Sequence, residues 1–94
     1  ITPDKIKNVV CDELHVTLKD MDSSKRDASI SQARQIAMYL IREMTDYSLP
    51  KIGNLFGGRH YTTVMHACDK SQDEIKSNEA GAEVIKSLKK DISE

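Results

Sequence analysis

At 94 residues the chain is long enough for one domain with a modest core, and with 38% hydrophobic but only 4% aromatic residues that core must be built from Ile, Leu, Val, Met and Ala, a palette suited to helix-on-helix packing. No apolar run approaches the ~20 residues of a membrane span, no signal peptide is visible, and Cys11 and Cys68, with no C-x-x-C pairing, read as small apolar fillers in a reduced, cytoplasmic setting. The net charge of −1 speaks weakly against nucleic acid, but its distribution reverses that: residues 1–23 carry −2, residues 24–66 carry +3 with all four arginines (Arg26, Arg34, Arg42, Arg59), and residues 67–94 carry −2. Arginine is the side chain suited to bidentate contact with phosphate and guanine.

Thr2-Pro3-Asp4 is a helix start, with an N-cap hydroxyl, proline at the first helical position and an acid at the positive end of the dipole. Ile6, Val9, Val10 and Leu14 give that helix one apolar face. A short helical turn from Thr17 carries Leu18 and Met21, and residues 22–28 read as a polar loop with a basic centre at Lys25-Arg26. From Ser29 or Ser31 to about Thr45, Ile30, Ala33, Ala37, Leu40, Ile41 and Met44 repeat at helical spacing. Ser48-Leu49-Pro50 opens a shorter helix with Ile52, Leu55 and Phe56 inward, and Gly57-Gly58 ends it. The next helix begins between Arg59 and Thr62 and turns Val64, Ala67, Cys68 and Ile75 inward. Asn78 caps a last helix striped by Val84, Ile85, Leu88 and Ile92. The expected fold is all-α, an orthogonal bundle of five or six helices in a single domain over residues 1–94.

The stretch from about Ser48 to Cys68 has the makings of a helix-turn-helix, two short helices crossing steeply at a tight, glycine-bearing turn. Gly53 permits close approach, Gly57 supplies the positive φ of the turn, and Val64 anchors the second helix on Ile52 and Phe56. The second helix of such a motif presents its N-terminal residues to the major groove of DNA, here Arg59, His60, Tyr61, Thr62 and Thr63. Five consecutive polar or amphipathic residues suit a groove better than a core. Six basic side chains, Lys25, Arg26, Arg34, Arg42, Lys51 and Arg59, are candidates to meet phosphates, and about five such contacts would give a log–log salt slope of roughly −4 to −5. His66 and Lys70 follow Thr62 at helical spacing as a further phosphate-facing edge.

The segments Gln32-Ala-Arg-Gln-Ile-Ala-Met-Tyr-Leu-Ile-Arg-Glu-Met-Thr45, Ser48-Leu-Pro-Lys-Ile-Gly53, Phe56-Gly-Gly-Arg59 and Thr62-Thr-Val-Met-His-Ala67 resemble the C-terminal DNA-binding domain of the DnaA family of bacterial replication initiators, over nearly the whole chain. The resemblance implies a Trp-repressor-like helix-turn-helix bundle that binds double-stranded DNA at short A/T-rich origin boxes as a monomer, associated with the nucleoid. It implies that Arg26 enters the minor groove, that Arg34 and Gln35 lie near the backbone or base edges, that Leu49, Pro50, Arg59 and Thr63 position the motif, and that Arg42 faces phosphate. One departure stands at the base-reading turn: the family usually has Asp-His before the Thr-Thr pair, and this chain has His60-Tyr61. An aspartate accepts from cytosine N4; an imidazole accepts or donates according to its protonation. His60, Tyr61 and Thr62, with Arg26, are therefore the expected base-reading set.

No catalytic constellation is visible, and no metal or cofactor site is expected: Gly57-Gly58 leads into Arg59, not Lys-Ser or Lys-Thr, so it is no P-loop, and His60 and His66 are not at a helical ligand spacing. The family's ATPase module precedes this domain, so ATP binding is expected of the larger initiator from which the chain reads as excised. Two other classes compete: a transcriptional regulator of the Trp-repressor type, and a protein- or membrane-interaction module in which Lys5 and Lys7 of the amphipathic first helix meet acidic phospholipid.

Overall fold

Local sequence signals set the ends of six helices in the computed structural model, which describes residues 1–94: α1 (Pro3–Leu14), α2 (Leu18–Met21), α3 (Ala28–Met44), α4 (Leu49–Asn54), α5 (Tyr61–Ser77) and α6 (Glu79–Ser93). The side chains of Thr2, Thr17, Ser48 and Asn78 each accept from a backbone N–H in the first turn of α1, α2, α4 and α6, satisfying donors that a helix start leaves orphaned. α1 ends on His15 in the left-handed region at φ 58°, a C-cap conformation in which its N–H donates to the Cys11 carbonyl. α3 starts one residue before the expected Ser29, on Asp27, which makes no side-chain capping bond.

α3 is the central post. It packs against α1, α2, α4 and α5, and six consecutive residues, Ile36 to Ile41, are buried. The sequence pattern marks only Ala37, Leu40 and Ile41 of these as inward; a helix surrounded by neighbours buries all its faces, so single-face periodicity undercounts it. Ile6 and Val10 of α1, Ile52 and Phe56 of the α4 region, Val64 of α5, and Ile85, Leu88 and Ile92 of α6 complete one core. Val84 departs from the expected stripe: it is exposed at a cleft shared with Leu14, Ile36 and Ile85. The longest helices have 17 residues, about 25 Å by helical rise, and the molecule measures 31 × 27 × 25 Å, so its helices cross rather than run alongside one another.

Candidate nucleic-acid interface

The turn between α4 and α5 is built by two glycines with different jobs. Gly53 sits against the chain's own return: a Cβ there would collide with the Arg59 carbonyl oxygen, while the Gly53 carbonyl accepts from Arg59 N at 2.9 Å. Gly57 has φ 78°, and a Cβ on it would lie 2.5 Å from the Asp22 carbonyl oxygen. Gly58 shares the positive φ but faces open space. The turn is thus pressed both onto α5 and onto the loop of residues 22–28.

That loop is held from inside. Arg34 is 7% exposed, and its guanidinium donates to the carbonyls of Met21 (2.9 Å), Asp20 (3.1 Å), Ser23 (3.0 Å) and Lys25 (3.2 Å). Arg59 reaches across from the turn, donating from Nη2 to the same Ser23 carbonyl and from Nη1 to the Phe56 carbonyl. Burial, and then the Arg59 charge beside it, pulls the Arg34 guanidinium below its ordinary value, but arginine stays charged at neutral pH. Lys7 is a third internal cation: 7% exposed, it donates to Asp22 Oδ1 (2.7 Å) and the Leu55 carbonyl (2.6 Å) and lies 4.6 Å over the Phe56 ring. These three tie the basic loop, the α4 end and the turn into one body.

Arg26, at the apex of the loop, is exposed and makes no hydrogen bond or ion pair within the chain. Lys25 beside it is exposed and lies 3.0 Å from Asp20 Oδ1. Pro50 and Lys51 are exposed at the start of α4, with Leu49 half-buried beneath them. Arg42 is exposed and donates to the Tyr47 carbonyl at 3.4 Å. Tyr61 and Thr63 are exposed in the first turn of α5 and Thr62 is half-buried. Between α3 and α5 a cleft of about 280 Å³ is lined by Gln35, Arg34, Arg59, Thr63, His66 and Lys70 among others, a basic trough along the inner side of α5.

Two expected placements change. Arg34, expected near the DNA backbone, is turned inward and spent on four carbonyls, because its helix face points at the α2 end and the loop. Lys7, offered above for acidic phospholipid, is buried, leaving Lys5 as the exposed lysine of α1. α5 starts at Tyr61, inside the expected range, with His60 as its N-cap: Thr62 N donates to its Nδ1 at 3.3 Å, the Thr62 hydroxyl lies 2.9 Å from the same nitrogen, and the ring tilts 35° against Tyr61 with centroids 4.6 Å apart. The roles of Lys7 and Arg59 as internal ties carried no signal in the sequence, since their partners, the Asp22 carboxylate and backbone carbonyls, lie up to 48 residues away. Both thiols are pushed up from their ordinary value, chiefly by burial, as apolar fillers would be.

The arrangement exposes a cationic loop tip, the start of α4, and a hydroxyl- and aromatic-bearing start of α5. The family model described as the bacterial dnaA protein helix-turn-helix matches residues 3–70. Chromosomal replication initiator protein DnaA of Symbiobacterium thermophilum is 48% identical over 88 residues, covering 94% of this chain and 19% of that protein. Its counterpart in Gloeobacter violaceus is 52% identical over 80 residues, covering 84% of this chain and 18% of its own length. The chain therefore spans about a fifth of the length of these relatives.

Proposed function

The chain belongs to the bacterial DnaA helix-turn-helix family, and from that premise we propose that it binds double-stranded DNA sequence-specifically at A/T-rich origin boxes, in the service of chromosome replication. The observation that carries the reading is a free arginine at a loop tip that is tied to a glycine turn and to the exposed, polar start of a helix. α5 lies in the major groove, where Tyr61 and Thr62 meet base edges and Thr63 meets the backbone. Arg26 enters the adjacent minor groove, whose narrowing in A/T-rich DNA deepens the negative potential that attracts an inserted guanidinium. Pro50, Lys51 and Arg42 lie along the phosphates, with His66, Lys70 and Gln35 on the inner edge. Arg34 and Arg59 act as positioning residues that hold the loop and turn in register.

The domain works as a monomer and has no catalytic role of its own. The relatives are about five times longer than this chain, and the ATP-dependent step of initiation belongs to an N-terminal module outside these residues. Fluorescence-anisotropy titration of labelled duplexes, with and without an origin-type box, tests the reading: box DNA is bound at least tenfold more tightly, and equal affinity for both duplexes contradicts it.

A further inference from the structure

The geometry points to His60 as a fixed hydrogen-bond donor in the major groove, one that disfavours cytosine at the base it faces and bonds guanine, thymine or adenine. This rests on the reading that α5 enters that groove. One backbone group beside the ring cannot turn away. Thr62 N–H is fixed by the first turn of α5 and donates to His60 Nδ1 at 3.3 Å. A proton on Nδ1 would oppose that N–H, so the neutral ring keeps a lone pair on Nδ1 and its proton on Nε2. The Thr62 hydroxyl, 2.9 Å from Nδ1, can turn its own proton to the same lone pair. The stacking against Tyr61 holds the ring plane.

What the ring presents outward is therefore Nε2–H, which has no partner within the chain, on an exposed residue at the head of the helix. In the major groove guanine offers O6 and N7, thymine O4 and adenine N7 as acceptors, while cytosine offers only its N4 amino group, which would face Nε2–H donor to donor. A capping imidazole is thus not the two-way group expected from its type alone. Its acceptor is consumed by the helix.

Substitutions that keep the cap separate this role from a structural one, because Asp and Ser are both favoured N-caps. His60→Asp replaces the outward donor by an acceptor, and His60→Ser keeps the cap but withdraws the reach. Each protein is used to enrich duplexes from a library of randomised sequence, and the enriched pools are sequenced; thermal melts confirm that all three fold. The parent should deplete cytosine at one position by about five- to tenfold relative to the bases that offer an acceptor, the scale of one net hydrogen bond. His60→Asp should turn that depletion into enrichment of cytosine, whose N4 amino group it accepts from, and His60→Ser should flatten it. Identical profiles for the three proteins overturn the assignment while leaving sequence-specific binding intact. A parent that enriches no sequence at all overturns the assignment and the proposed function together.

Discussion

Arg34 and Arg26 lie eight residues apart and divide the work of the basic loop between them. Arg34 orders the loop from beneath through four carbonyls, and Arg26 stands free at its tip. Removing Arg26 should therefore leave the melting temperature unchanged. Arg26→Ala should weaken binding to A/T-rich duplexes by on the order of 1–3 kcal/mol and to G/C-rich ones by less, measured by parallel titrations; equal losses would make it a phosphate contact. Arg34→Met fills similar space but strands buried carbonyls, at a cost of about 1–3 kcal/mol in folding stability by denaturant titration. It should also weaken DNA binding by disordering the loop that carries Arg26. The two substitutions are then coupled: in a double-mutant cycle on binding, their joint effect should fall short of the sum of the single effects. An additive cycle would mean that Arg34 contacts DNA for itself. None of this division was legible in the sequence, where both residues are basic side chains in a basic stretch. Burial of a cation on backbone carbonyls leaves no compensating acid in the pattern.

At the scale of elements, the two adjacent glycines of the turn separate conformation from space. Gly57 and Gly58 share a positive φ, but only Gly57 is pressed against Asp22. Asn tolerates the left-handed region better than other non-glycine residues, so Gly58→Asn should cost under about 1 kcal/mol. Gly57→Val combines a β-branched side chain with a steric clash and should lower the melting temperature by about 10 °C or more, since each kcal/mol is worth about 4–8 °C in a domain of this size. Differential scanning calorimetry of the two variants checks the ordering; equal shifts would mean that the loop does not press on the turn. Helix starts at Thr2, Thr17, Ser48 and Asn78 were readable because capping chemistry is local. The start of α5 was readable only to within a few residues, because histidine is not among the usual N-caps and the tie that makes it one is seen only when the backbone is placed. The exposure of Val84 was not readable for a related reason: it lines an open cleft between α6 and residues of α1, α3 and α5, which the apolar pattern of α6 alone does not reveal.

For the whole molecule, the basic middle of an acidic-ended chain becomes a surface whose usable charge is smaller than its count. Of the six bases marked in the sequence, Arg34 is buried and Arg59 is engaged with two carbonyls, leaving Lys25, Arg26, Arg42 and Lys51 exposed. The log–log dependence of the association constant on salt should accordingly have a slope of roughly −3 to −4, shallower than six unburied cations would give, and Lys51→Ala should flatten it by about one unit. A slope near zero would remove the electrostatic part of the account. The central claim, that the loop tip and the starts of α4 and α5 form one DNA-binding face, is tested most directly by mapping amide chemical shifts as the isotope-labelled chain is titrated with a duplex carrying an origin-type box. The account predicts that the largest changes fall on residues 22–28, 48–51 and 58–66, with the outer faces of α1 and α6 nearly silent. Changes concentrated on α1 or α6, with the loop and turn unmoved, would contradict it.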